Sequence, residues 1–198
     1  MSPSLSKHFD VVVVGGGNAA LTAAITAAHA GWRVVVLEAA PRFYRGGNTR
    51  HTRNLRCSHD GTAPTMTGPY EATEFLDDLY RVTGGQTDKA LAELTIGRSR
   101  ELLGWMEEQG VRFQPPLGGT LNLGKTNAFF LGGGRGMLNA LYRKAEDLGV
   151  VCVYDAPVIA LTMAISSRRR SNRGDARRSC AEKRWLPRRA ASKPISIG

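Results

Sequence analysis

Cysteine and long apolar runs are both scarce in this 198-residue chain, and each shortage excludes a class of protein. The three cysteines, Cys57, Cys152 and Cys180, show no paired spacing and no CxxC motif, which argues against a disulfide framework or a zinc site. We therefore expect a reducing, cytoplasmic location and no metal site. No apolar segment approaches the roughly 20 residues of a membrane-spanning helix, and the polar start Met1–His8 does not resemble a signal peptide.

Acidic residues are almost missing from the end of the chain. Residues 164–198 contain 11 Lys and Arg against 2 Asp and Glu, whereas residues 1–163 are nearly balanced at 16 against 15. The formal net charge of +10 therefore comes mostly from this tail, which also lacks apolar periodicity. We predict a folded domain over residues 1–163 and a basic, disordered tail over residues 164–198.

The origin and role of the tail have more than one interpretation. Its abrupt change of composition is typical of a frameshifted reading frame, which we favour, although a genuine basic tail would have a similar composition. A basic tail on a nucleotide-binding module could also bind nucleic acid. We expect no nucleic-acid partner, because recognition needs basic residues on a folded face or an amphipathic helix.

The start of the domain carries a dinucleotide-binding fingerprint. The valine run over residues 11–14 is typical of a parallel strand that is buried on both faces. Gly15 allows a sharp turn, Gly17 lets a pyrophosphate approach the backbone, and Ala20 takes the place of the third glycine. A helix is predicted from Asn18 to residue 30, where its N-terminal N–H groups and positive dipole end would favour the phosphate charge.

Glu38 completes the fingerprint at the end of a second predicted strand, 21 residues beyond Gly17. A carboxylate at this spacing accepts hydrogen bonds from ribose hydroxyls and repels a 2′-phosphate. FAD or NAD is therefore favoured over NADP. The elements follow one another in the order of the fingerprint: a strand, the glycines, a helix, a second strand and the acid. This order predicts an α/β, Rossmann-like domain.

Further elements follow from periodicity and breakers. A loop is predicted over residues 39–69 and an irregular segment over 114–131. Three more helices are expected at residues 71–82, 87–110 (with an interruption at Gly97) and 137–148. Strands are expected at residues 111–113, 150–154 and from 158 to 161.

The loop after Glu38 is rich in glycine and arginine. Gly46, Gly47, Asn48 and Thr49 could present backbone donors to a flavin ring, or could form a simple turn. Guanidinium groups recognise carboxylates bidentately, so some of the loop's arginines suit a polycarboxylate or a pyrophosphate, while the others belong to a solvated basic loop. The loop's arginines are Arg42, Arg45, Arg50, Arg53 and Arg56.

Two other glycine motifs imitate nucleotide sites. Residues 119–126 match the phosphate-loop pattern, but they do not join a buried strand to a helix, so we do not expect a nucleotide triphosphatase. Gly132 and Gly134, with Asp155 a further 21 residues on, imitate a second dinucleotide fingerprint. Met137 stands where the third small residue belongs, and a glycine-rich helix entry is the better interpretation.

Taken together, these segments resemble the FAD-dependent tricarballylate dehydrogenases of the fumarate reductase and succinate dehydrogenase flavoprotein superfamily. The likeness covers about residues 8–163, and a precorrin-3B synthase-like flavoprotein of cobalamin biosynthesis shares much of it. The matching stretches beyond the fingerprint are Glu38–Pro41, Gly46–Arg56, Trp105–Phe113 and Asn127–Gly134.

The resemblance implies a three-layer FAD-binding domain that is incomplete at its C-terminus, with the capping domain and its acid–base residues beyond the region of likeness. It implies hydride transfer from tricarballylate to flavin N5, giving cis-aconitate. It also implies a membrane-bound protein as electron acceptor. The chain alone is expected to be inactive. The FAD would be noncovalent, because Arg50 separates Thr49 from His51, whereas the covalent-flavin motif places His directly after a Ser.

The resemblance also assigns residues. Arg53, Arg56 and His51 are candidates for binding the polycarboxylate, and no catalytic residue is assigned. The implied FAD contacts are Gly15, Gly17, Asn18 and Ala19 along the pyrophosphate, Glu38 on the adenosine ribose, Gly47, Asn48 and Thr49 beside the isoalloxazine, and the backbone of Val158 near the adenine.

Overall fold

The structure is a computed structural model that describes residues 8–61, 63–116 and 123–161. The predicted tail at residues 164–198, the start of the chain and the first half of the phosphate-loop imitation (residues 119–122) therefore lie outside the described residues. The elements, in chain order, are β1 (Val11–Val14), α1 (Asn18–His29), β2 (Val34–Leu37), a 3-10 helix (Gly47–His51), β3 (Asn54–Arg56), α2 (Ala72–Thr83), α3 (Lys89–Glu108), α4 (Leu123–Thr126), β4 (Asn127–Phe129), α5 (Gly133–Asp147) and β5 (Val151–Val153).

A parallel sheet in the order β1-β2-β5 forms the centre of the fold. Val12 pairs with Val35 and Val36 pairs with Cys152, so β2 lies between the other two strands. All four residues of β2 are buried, as its uninterrupted apolar sequence predicts. Parallel pairing brings the carboxyl ends of the strands to one edge, where ligands bind in sheets of this kind.

Two helices cover the sheet. Apolar residues of α1 and α5, including Leu21, Ile25, Leu141 and Tyr142, are fully buried in one cluster with the strand valines. Burying each such side chain stabilises the fold by about 1.5–3 kcal/mol. Gly31, at φ +83°, follows the end of α1 in the left-handed conformation that favours glycine. The α/β fold class is confirmed.

Helices α2 and α3 confirm two further predictions and correct a detail. Asp88 caps α3, because its Oδ1 accepts the N–H of Leu91 at 2.9 Å. The predicted interruption at Gly97 is wrong, since α3 continues from Lys89 to Glu108. Helix α5 begins at Gly133, four residues before the predicted start at residue 137.

The short strands were the least accurate predictions. Residues 111–113 do not form a strand: only Phe113 pairs, in an isolated bridge with Phe130. Residues 158–161 are described without any strand. Conversely, β3 and β4 form an antiparallel pair inside segments that were predicted to be a loop and an irregular stretch. None of the described helices is long and apolar enough to cross a membrane.

Candidate flavin site

The glycine turn joins the C-terminal end of β1 to the first turn of α1. Gly15 has φ +92°, in the left-handed region that a residue with a side chain rarely adopts. Gly17 occupies the position before α1, and a Cβ there would lie 3.2 Å from Thr49 Oγ1. The first N–H groups of α1 have no intrahelical acceptor, so this turn presents backbone donors and the positive end of a 12-residue helix.

Glu38 lies beside this turn and is held in place by backbone N–H groups. Its Oε1 accepts from Ala40 at 2.9 Å and its Oε2 from Gly46 at 3.4 Å, with 7% of the residue exposed. A carboxylate has about four lone-pair positions. Each oxygen therefore keeps acceptor capacity for a ligand hydroxyl.

Tyr142, a residue of α5, supports the glycine turn. This residue was not identified from the sequence. Its fully buried Oη donates to the carbonyl of Gly16 at 2.9 Å. A Cβ on Gly16 would overlap both this hydroxyl and Oε2 of Glu38, so only glycine fits between the two side chains. Burial raises the pKa of Tyr142, with a further contribution from the charge of Glu38, which keeps the hydroxyl protonated as a donor. No local sequence signal points to a tyrosine 126 residues away.

The predicted flavin loop approaches the same helix end. Gly46 and Gly47 have φ +99° and +51°, and the 3-10 helix that follows places Thr49 Oγ1 3.1 Å from the N–H of Asn18, which donates to it. The Oδ1 atom of Asn18 is buried with no hydrogen-bond partner in the described structure. A buried polar atom without a partner is costly, which points to a ligand at this position.

The chain after β5 also reaches this edge of the sheet. The N–H of Ala156 donates to the carbonyl of Glu38 at 3.0 Å, and that of Asp155 to the carbonyl of Ala40 at 3.4 Å. Val158 follows two residues later, half-buried and without regular structure. Its sequence-predicted position near the adenine stays a prediction.

The second glycine motif has a packing role. The N–H of Gly134 donates to the carbonyl of Thr52 at 2.7 Å, and a Cβ on Gly134 would lie 2.9 Å from the backbone of Arg50 and overlap the carbonyl of Thr49. Protein carbonyls thus occupy the start of α5, where a second dinucleotide would place its phosphates. The glycine-rich helix entry is the interpretation that this geometry supports.

One of the three substrate candidates has partners elsewhere in the fold. Arg56 contacts Asp78 through Nη2 at 3.3 Å and lies 5.3 Å from the ring centroids of Tyr70 and Phe75. Arg53 and His51 are exposed. Arg56 therefore takes part in a structural cluster with α2.

This cluster gives a pH-dependent prediction. The Tyr70 hydroxyl donates to Asp78 at 2.7 Å and holds the pKa of the carboxyl below its ordinary value, and Arg81 and Arg56 lower the pKa further. A carboxyl group whose pKa is lower in the folded state stabilises the fold at pH values above its unfolded pKa of about 3.9. This contribution is lost as the pH falls through the folded pKa. Replacing Asp78 with asparagine should therefore destabilise the chain at pH 7 and have less effect near pH 3.

Urea unfolding at both pH values checks this, with Asp77→Asn, an exposed neighbour on the same helix, as the control. A destabilisation by Asp78→Asn that is equal at the two pH values would contradict the assignment.

The structure describes two of the three cysteines. Cys57 and Cys152 are free thiols. Burial raises the pKa of each to about 11, so neither is a thiolate at neutral pH. Among the described residues, no group of His, Cys, Asp and Glu could hold a metal ion.

The geometry as a whole fits an ADP-containing cofactor. Four features meet at the carboxyl edge of a parallel sheet: a helix N-terminus, a turn without Cβ atoms, a positioned carboxylate and an unpartnered amide oxygen. The family model described as the FAD binding domain matches residues 10–178. The chain belongs to this FAD-binding family.

Curated relatives share this region and differ in reaction. Vinyl phenol reductase of Lactiplantibacillus plantarum is 28% identical over 167 residues, 81% of this chain and 33% of that protein. The 3-oxosteroid 1-dehydrogenase of Mycolicibacterium smegmatis is 33% identical over 107 residues, 50% of this chain and 17% of that protein. The chain therefore spans a third or less of the length of these relatives.

Solved structures agree with the fold. The 3-ketosteroid-Δ4-(5α)-dehydrogenase of Rhodococcus jostii matches 78% of this chain and 41% of its own at a TM-score of 0.60 and 22% identity. A flavocytochrome c3 fumarate reductase matches 80% of this chain and 28% of its own at a TM-score of 0.62 and 20% identity. The FAD-binding-domain fold is thereby confirmed.

Proposed function

We propose that this chain forms the N-terminal FAD-binding part of a dehydrogenase that oxidises a small polycarboxylate of the tricarballylate type. The observation that carries the cofactor assignment is the meeting of the glycine turn, Glu38 and Thr49 at one edge of the sheet. Bound FAD would supply a hydride acceptor at N5. The chain's own residues would bind it through α1 N–H groups and the Glu38 carboxylate.

The substrate assignment is supported by the segment from Gly46 to Arg56. This segment begins at the glycine loop and continues through the exposed residues His51 and Arg53. His51 is the last residue of the 3-10 helix that contains Thr49, and Arg53 follows two residues later. A guanidinium there could bind a carboxylate that approaches the flavin loop. The contacts of Arg56 with α2 leave Arg53 as the better candidate for substrate binding.

Four further expectations belong to this proposal. The flavin is noncovalent, so acid precipitation of the loaded chain should release it. The electron acceptor is a membrane-bound protein, by family resemblance, and no nucleic acid takes part. A cytoplasmic location is supported by the free thiols of Cys57 and Cys152.

The similarity to two steroid dehydrogenases favours a second candidate substrate, an apolar 3-oxosteroid. The test is to load the full chain with FAD and add tricarballylate or a saturated 3-oxosteroid under anaerobic conditions. Tricarballylate is expected to perturb the visible flavin absorption band saturably, and to do so more weakly after Arg53→Gln. Perturbation by the steroid alone would overturn the polycarboxylate assignment.

A further inference from the structure

A second concave site lies on the α5 side of the loop that follows β2. It is an open groove of about 400 Å³. Such a volume falls within the range of small-molecule sites. We call it the arginine groove; its walls are Arg42, Arg45, Arg50 and Arg135 together with Phe43 and Leu138.

Within residues 8–61, 63–116 and 123–161, no carboxylate forms an ion pair with an arginine of the groove. Aromatic rings hold two of these arginines instead: Arg50 lies 5.5 Å from the ring of Tyr44 and Arg135 lies 5.6 Å from the ring of Phe43. These contacts leave the forked N–H donors of both guanidinium groups available.

Arg45 is fixed more firmly. Its Nη1 donates to the Tyr154 hydroxyl at 2.8 Å, its Nη2 donates to Asn139 Oδ1 at 3.1 Å, and its guanidinium lies 4.0 Å from the ring centroid of Tyr142. A guanidinium with a fixed position costs less conformational entropy when a ligand binds. The groove therefore has one rigid cation and three whose side chains are less restrained.

The groove is separate from the flavin side of the loop. Gly46 lies between the two. On one side, a Cβ on Gly46 would overlap Leu138 of the groove wall. On the other side, the carbonyl of Gly46 lies 3.6 Å from where a Cβ on Gly17 would be. None of the groove residues is part of the glycine turn or of the Glu38 contacts. A ligand in the groove and a cofactor at α1 would thus contact opposite sides of one backbone segment.

We propose that the arginine groove is a binding site for a small organic polyanion, distinct from the flavin site. Four guanidinium groups beside two apolar side chains match a ligand with several phosphate or carboxylate oxygens, because each guanidinium can donate two parallel hydrogen bonds to an oxyanion. This site goes beyond the proposed dehydrogenase function and does not require it.

Titration calorimetry on the full chain tests the proposal, with saturating FAD and again without it. Inorganic diphosphate and citrate serve as separate probes, and they distinguish a phosphate source from a carboxylate source. At least one probe is expected to bind at one site per chain. Arg42→Gln and Arg135→Gln should each weaken that binding about tenfold, the usual effect of losing charge-assisted hydrogen bonds.

Arg143→Gln is the matched control, since Arg143 is exposed on the same helix as Arg135 but outside the groove. It should leave binding unchanged. The basic residues 164–198 are identical in every variant, so their contribution cancels. Saturable binding that Arg42→Gln and Arg135→Gln leave unaltered, or no saturable binding of either probe, would overturn the proposal, whether or not the chain binds FAD.

Discussion

Replacing Gly134 with alanine is expected to lower the free energy of unfolding by about 3 kcal/mol, because the new methyl group would overlap backbone atoms and not a movable side chain. The Cβ would meet the carbonyl of Thr49 and lie 2.9 Å from the backbone of Arg50. Relief would require α5 to move away from the 3-10 helix, and the N–H of Gly134 would then lose its hydrogen bond to Thr52.

Gly97→Ala is the control for this change, since the substitution is chemically the same. Gly97 lies inside α3, and a Cβ there would have no neighbour within 4 Å. Alanine at this position should raise the free energy of unfolding by about 0.5–1 kcal/mol, because glycine weakens a helix interior. Urea titration with equal slopes measures both values. Equal effects of the two substitutions would refute the close contact between α5 and the 3-10 helix.

Replacing Glu38 with glutamine is expected to weaken FAD binding by about tenfold to a hundredfold, because hydrogen bonds to a charged acceptor are worth about 1.5–3 kcal/mol. Glutamine keeps the shape of the side chain and an oxygen that can accept the N–H of Ala40. The fold should therefore persist while the ribose contact weakens. Fluorescence titration with FAD measures the affinity.

The comparison variant for this experiment is Glu107→Gln, an exposed carboxylate on α3. It should bind FAD as the unaltered chain does. An affinity for FAD that is the same in both variants would remove Glu38 from the site.

The sequence predicted the nucleotide-binding half of this fold because its signals are local. The valine strands, the turn at Gly15 and the spacing to Glu38 lie within about 30 consecutive residues, and each follows from backbone preference or from burial. Periodicity and breakers likewise predicted α2 and α3, because both signals are local as well.

Other features depended on contacts between distant segments. The strands β3 and β4 have three residues each and pair across some 70 positions, so neither shows a periodic pattern of useful length. Tyr142 and Gly134 act only because α5 packs against the glycine turn and the 3-10 helix. Arg56 resembled a substrate ligand in sequence, but the fold places it against Asp78 and the α2 aromatics.

The central claim is that the edge of the sheet at Gly17 and Glu38 holds the ADP half of FAD. Parallel titrations of the purified full chain with FAD and with riboflavin test it most directly, because riboflavin carries the flavin ring without the pyrophosphate and adenosine. We predict one FAD per chain and an affinity for riboflavin that is at least about a hundredfold lower, since the helix N-terminus and the carboxylate would contact only the half that riboflavin lacks. Equal affinities for the two compounds, or no binding of FAD, would contradict the account.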